Sequence, residues 1–210
     1  MRTIRNAATA GNDEMYTPPA LAQSILPFVQ QFCVAEDIRK PLVWCPFDTD
    51  SSEIVKALRS IGCEVSATII KEENGNFFEL LPPKGCNLIV SNPPFSLKLK
   101  VFQRLNELRI PYAMLMNYMA LGYQVMGEYF VQEHVQLIIP DKKISFDGRT
   151  SSFMTLWVCR FFLQGGDLKF VHLENNNSRR FFVPSAVLCE TCRLCNGELR
   201  GLECIERREK

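Results

Sequence analysis

Short apolar runs alternate along this chain with segments of helical periodicity, and that alternation narrows the available folds more than any other feature. The run "PLVWCPFD" (Pro41 to Asp48) is continuously apolar, as a strand covered on both faces must be. "EVSATII" (Glu64 to Ile70), "NLIV" (Asn87 to Val90), "PYAMLM" (Pro111 to Met116) and "VQLIIP" (Val135 to Pro140) also read as strands. Between them lie helices. Leu21, Ile25, Leu26, Val29 and Phe32 recur at helical spacing behind Pro18 and Pro19, which suit a helix start, and Pro27 divides that stretch into two shorter pieces. Ser51-Ser52-Glu53 caps an amphipathic segment carrying Ile54, Val55, Leu58 and Ile61 that stops at Gly62. Leu99 to Arg109 and Tyr123 to Glu133 read as two more helices. The segment "KKISFDGRTSSFMTLWVCRFFL" places a strand on each side of Asp147-Gly148, a hairpin signal. Alternating strands and helices closed by an antiparallel hairpin predict a doubly wound, mostly parallel α/β sheet.

A chain of 210 residues that is 47% hydrophobic and 22% charged has the composition of a globular α/β domain with a sizeable core. The net charge of +1 excludes a whole-chain basic field, so a nucleic-acid partner has to be held by a local patch. No apolar run reaches the roughly 18–20 residues needed to cross a bilayer. "MRTIRNAATAGNDE" has no hydrophobic block behind its arginines and does not read as a secretory signal, so a cytoplasmic protein without membrane contact is expected. The texture changes after Gly165-Gly166. This divides the chain into residues 1–165 and a Cys-rich extension, residues 166–210, a small zinc-binding or target-recognition element in outline.

Of nine cysteines, Cys33, Cys45, Cys63, Cys86 and Cys159 sit singly in apolar segments, whereas Cys189, Cys192, Cys195 and Cys204 crowd the extension. Four thiolates are the ligand set of tetrahedral zinc. A zinc ribbon, however, has two well-separated pairs, and three cysteines at one end favour reduced packing or surface thiols. His134 and His172 lie in apolar surroundings without a partner pattern and are not candidates.

The most informative stretch is "NLIVSNPPFSLK" (Asn87 to Lys98), a buried strand that ends on a polar amide, a rigid elbow and an aromatic ring. Ligands of parallel α/β sheets bind at the carboxyl ends of the strands, where Asn92 stands. Its amide oxygen and the Pro93 carbonyl can accept the two hydrogens of an exocyclic NH2. Pro94 stiffens the elbow, and Phe95 offers a face for the attached ring. Bonding both hydrogens turns the nitrogen lone pair out of conjugation, and a sulfonium methyl is an electrophile that such a nitrogen can attack without a prior general base.

Asn92-Pro93-Pro94-Phe95 resembles the catalytic motif of S-adenosylmethionine-dependent amino-methyltransferases. The wider layout resembles the EcoRI-methylase-like DNA adenine-N6 methyltransferases found in phages and mobile elements. "NDEMYTPPALA" (Asn12 to Ala22), "VWCPFDTDSSEIVKAL" (Val43 to Leu58), "SNPPFSLK" (Ser91 to Lys98) and "KKISFDGRTSSFMTLWVCRF" (Lys142 to Phe161) carry the likeness. It implies a Rossmann-like class I methyltransferase fold, S-adenosylmethionine as cofactor and DNA as partner, in chemistry of the restriction–modification kind. Tyr16, Thr17 and Pro18 are then implied to flank the methionine moiety, Asp48 to accept from its ammonium group, Glu72 to bind the ribose hydroxyls, and Asn76 with Phe77 to frame the adenine. Lys98, Arg149, Ser151 and Phe153 are the implied substrate contacts. Asp48 and Ser52 read equally well as capping groups of the following helix, and Phe153 as a core residue beside a hairpin tip. The chain departs from the pattern twice: no Gly-x-Gly turn follows the first strand, and Asn76 stands where an Asp is more usual. RNA and protein glutamine are alternative acceptors for this motif. A module that keeps the pocket for binding alone is the reading from a different class.

Overall fold

The computed structural model describes residues 16–69, 76–144 and 154–173. These residues belong to one compact unit, Met1–Asn176, and a second unit comprises Asn177–Lys210. Two helices come first, α1 (Pro19–Ser24) and α2 (Leu26–Ala35). The junction falls at Ile25, with Pro27 in the first turn of α2, where its missing N–H has no helical partner to lose. There follow β1 (Leu42–Cys45), α3 (Glu53–Ser60), β2 (Glu64–Ala67), β3 (Leu88–Ser91), α4 (Lys98–Leu108), β4 (Tyr112–Asn117), α5 (Gln124–Glu133), β5 (Gln136–Pro140), β6 (Thr155–Arg160) and β7 (Leu168–Val171).

The strands form one sheet in the order β2-β1-β3-β4-β6-β5-β7. β1 pairs parallel with both β2 and β3, and β3 parallel with β4. β6 runs antiparallel between β4 and β5, and β7 adds parallel to β5. The sheet is therefore a doubly wound, mostly parallel α/β sheet with an antiparallel hairpin, as the alternation predicts. One detail differs. The arm before β6 in the hairpin is the run Gln136–Pro140 itself, and among the described residues Asp141 to Ile144 is not strand. Asp147 and Gly148, where the sequence offers a tight turn, lie outside the described residues.

Side-chain alternation along each strand divides the core in two. Val43, Cys45, Leu88, Val90, Ala113, Leu115, Trp157 and Cys159 face α1, α2 and α3. Trp44, Ile89, Tyr112, Met114, Leu156 and Val158 face α4 and α5. Covered on both sides, these strands are apolar throughout, which is why they were legible as uninterrupted runs. α1 is tied to the sheet by a buried chain in which the Trp157 indole N–H donates to Ser24 Oγ (3.0 Å) and that hydroxyl donates to the Leu21 carbonyl (2.7 Å). Among the described residues no helix is long and apolar enough to cross a membrane.

Candidate active site

β1 and β3 lie side by side and parallel, so the turn after Cys45 and the elbow after Ser91 leave the sheet at the same edge. Leu42 N–H donates to Asn87 Oδ1 (2.9 Å), and Asn87 N–H donates to the Leu42 carbonyl (2.9 Å). These bonds fix the register near the start of both strands and hence the alignment of their tips.

At the tips the two segments share a buried hydrogen-bond centre. Ser91 is fully buried and Asp48 is 7% exposed. Ser91 Oγ accepts from Phe47 N–H (3.1 Å) and donates to Asp48 Oδ2. Asp48 also accepts from the Ser52 hydroxyl and from the backbone N–H of Asn92. Burial pushes the Asp48 carboxyl above the usual aspartate range, and the three donors pull it partly back. No lysine, arginine or histidine of the described residues contributes to that balance. The neighbouring thiol of Cys45 is raised far by its own burial and then by Asp48, and stays neutral.

The missing glycine turn has a local explanation. None of residues 46–52 adopts a positive φ, so the path from β1 to α3 does not require glycine. Asp48 N–H donates to the Cys45 carbonyl (3.4 Å) and Ser52 N–H to the Thr49 carbonyl (3.0 Å). Ser52 then caps α3 by accepting from Val55 N–H (3.4 Å) while its own hydroxyl proton goes to Asp48. Ser52 is the cap, and Asp48 holds the elbow.

The elbow is half open. Pro93 is buried, whereas Asn92, Pro94 and Phe95 are half-buried, and a 3-10 turn, Phe95–Leu97, leads into α4. The Asn92 Oδ1 atom is turned inward and shielded from solvent. Lys98 Nζ donates to the Phe95 carbonyl (3.3 Å) and stands 4.5 Å from the centre of the Tyr123 ring. Tyr123 is half exposed, as is Tyr118, which follows β4 at the same edge. Tyr118 N–H donates to the Met154 carbonyl (3.0 Å), drawing the start of β6 to this edge as well.

The remaining candidates fall into three groups. Thr17 is buried and its Oγ1 finds no hydrogen-bond partner, while Tyr16 is exposed and Pro18 is the N-cap residue of α1. Asn76 Oδ1 accepts from Phe78 N–H (3.2 Å). Phe77 is fully buried, with its ring against Trp44 (5.4 Å between centroids), Phe47 (4.9 Å) and Phe78 (5.6 Å). Glu72, Arg149, Ser151, Phe153, Cys189, Cys192, Cys195 and Cys204 lie outside the described residues. Among the described residues no cluster of His, Cys, Asp or Glu can hold a metal. Two residues of the site escaped the sequence reading, Ser91 and Phe47. Ser91 had a signal: it is the one hydroxyl closing an otherwise apolar buried strand.

Asp48 fits the ammonium end of S-adenosylmethionine: among the described residues it is a buried carboxylate with no cation in its balance. Thr17 Oγ1 is a buried hydroxyl with no partner among the described residues, and a carboxylate is a group that satisfies such an atom.

The architecture is that of the Rossmann-like class I methyltransferases. The chain is similar over 80% of its length to a protein from Listeria monocytogenes assigned as a class I S-adenosylmethionine-dependent methyltransferase, covering 68% of that protein with a TM-score of 0.56 at 10% identity. It also aligns with a protein from Agrobacterium tumefaciens assigned as an O-methyltransferase, over 92% of this chain and 95% of that one at 12% identity, but the TM-score of 0.37 carries no argument. At such identities the likeness speaks for the fold alone. No family model matches the sequence, and neither does any curated protein.

Proposed function

We propose that the protein transfers a methyl group from S-adenosylmethionine to an exocyclic amino nitrogen, and that the acceptor is N6 of adenine in DNA. The observation that carries this reading is the shared centre at the strand tips. One buried carboxylate, Asp48, accepts from the backbone of the Asn92 elbow and is suited to an ammonium group. The residues proposed to bind donor and acceptor thus leave the sheet at adjacent strand ends.

Asp48 would take the cofactor's ammonium group and Thr17 Oγ1 a polar atom of its amino-acid end. When bound, the cofactor supplies an electrophilic methyl on a sulfonium. The rest falls to the chain's own groups. Phe95 stacks the adenine ring, and Asn92 Oδ1, once its amide turns outward, accepts one amino hydrogen while the Pro93 carbonyl accepts the other. The nitrogen lone pair then points along the elbow's open side. As the N–C bond forms and the C–S bond breaks, the surplus proton leaves the nitrogen through one of these acceptors to solvent. A base in a duplex has to be extruded first, at about a few kcal/mol. Lys98, with Tyr123 beneath it, offers a cation and a ring to the displaced strand.

Incubation with labelled S-adenosylmethionine and DNA, RNA or a glutamine-containing protein, followed by mass spectrometry of the products, tests the proposal. N6-methyladenine in DNA is the expected product. Label in RNA or protein alone moves the acceptor, and label in none of them leaves a binding module. Asn92→Ala should remove turnover while cofactor affinity stays within about twofold, because the side chain's proposed role is toward the acceptor. Equal loss of both places the site elsewhere.

A further inference from the structure

We propose that Ser91 is a positioning residue through which occupancy of the ammonium site on Asp48 is transmitted to the Asn92–Phe95 elbow, so that a bound cofactor firms the acceptor site. The inference rests on the functional reading above and adds a device to it.

A carboxylate offers about four lone-pair positions. Three are taken in the cofactor-free chain: by the Ser91 hydroxyl, the Ser52 hydroxyl and the Asn92 N–H. One remains for an ammonium. The donors belong to different elements. Ser52 heads α3, whereas Ser91 and Asn92 end β3 and begin the elbow. Ser91 binds both sides at once, since its oxygen also accepts from Phe47 N–H on the β1 turn (3.1 Å). A cation arriving at Asp48 adds a charge-assisted fourth bond and fixes the carboxylate in place. The two bonds that secure the elbow strengthen with it, and the Ser52 bond does not reach the elbow. Pro93 and Pro94 make the segment stiff, so a constraint at Asn92 is carried forward to Phe95 rather than dissipated. Coupling of this kind is reciprocal: an acceptor that fixes the elbow must tighten cofactor binding by the same factor.

Hydrogen–deuterium exchange on the full chain, read by mass spectrometry with S-adenosylhomocysteine as the non-reactive probe, tests the device. Pro93 and Pro94 have no amide hydrogen, so a peptide covering residues 91–98 reports mainly Asn92 and the first turn beyond the prolines. Saturating probe is expected to slow its exchange by roughly tenfold in the unaltered protein, the middle of the usual range for site-to-site coupling. Ser91→Ala, saturated at its own weaker affinity, should show clearly less slowing, since only the Asn92 N–H then ties the elbow to Asp48, and Ser91→Thr, which keeps the hydroxyl, should restore it. Ser52→Ala should weaken probe binding yet retain the slowing. Probe binding without any slowing in the unaltered protein overturns the coupling and leaves the functional reading standing, whatever the variants do. Full slowing in Ser91→Ala overturns it as well. Failure of the unaltered protein to bind the probe overturns the functional reading, and the coupling with it.

Discussion

Asp48 is required to stay charged in a place that disfavours charge. In the unfolded chain it releases its proton in the ordinary aspartate range near ~4. In the folded chain burial holds that proton to higher pH. Between these two values the folded state binds the extra proton, so the contribution of Asp48 to stability is present at the acid end and is lost as pH rises through the folded value. Cofactor binding needs the ionised form and runs the other way. The rise in melting temperature produced by S-adenosylhomocysteine should therefore be larger at about pH 7.5 than at about pH 5. Asp48→Asn keeps the shape without the charge. It should flatten the pH dependence of stability and lower probe affinity by about 10–100-fold, the value of a hydrogen bond to a charged partner, as read by calorimetry. At this scale the sequence reading reached unequal depth. Asp48 and Asn92 stand out in the sequence by charge and amide chemistry at strand ends, and the structure puts both at neighbouring strand tips. Phe77 is fully buried against Trp44 and Phe47, packing that an aromatic after a polar turn does not announce in the sequence.

Elements were the most legible level, and their ends show why. α3 begins at a serine cap and is followed by Gly62 with φ +87°, both visible as residue types. α4 and α5 instead end on Arg109 (φ +53°) and His134 (φ +50°), left-handed positions that a reader looking for glycine passes over. Arg109→Gly should accordingly stabilise the protein by about 1 kcal/mol, the cost of holding a side chain in that conformation, as a shift in urea midpoint at unchanged slope. The β1–α3 turn is the reverse case. Its lack of glycine looked like a departure from the family pattern, and the structure closes it with negative φ throughout. At the hairpin, Asp147 and Gly148 lie outside the described residues, and the structure shows only which strands its arms join. A local turn signal says nothing about which earlier strand the returning arm will pair with, and β5 supplies that edge.

For the whole molecule, the two apolar faces made the layered sheet predictable, whereas polar ties between distant segments were invisible. At the end of the sheet opposite the elbow, a cavity of about 660 Å³ is lined by Asn106, Glu107, Arg109, Glu133, Arg160 and Phe161. Arg160 Nη2 meets Glu133 Oε2 at 2.7 Å there, Asn106 Nδ2 donates to Glu133 Oε1 (3.0 Å), and both charged side chains are less than one-fifth exposed. This network joins β6, α4 and α5. Glu133→Ala would remove the carboxylate partner of the guanidinium and leave it Asn106 Oδ1 and the Phe161 ring, at a cost of about 2–3 kcal/mol in urea unfolding, somewhat under the value for a fully buried pair.

Because β6 runs against its neighbours, the connection from Pro140 to Thr155 both departs and lands at the edge bearing the elbow. Lengthening such a connection is thermodynamically cheap, about 0.6 kcal/mol for each doubling. Rewriting that one passage thus demands no adjustment of the scaffold beneath it.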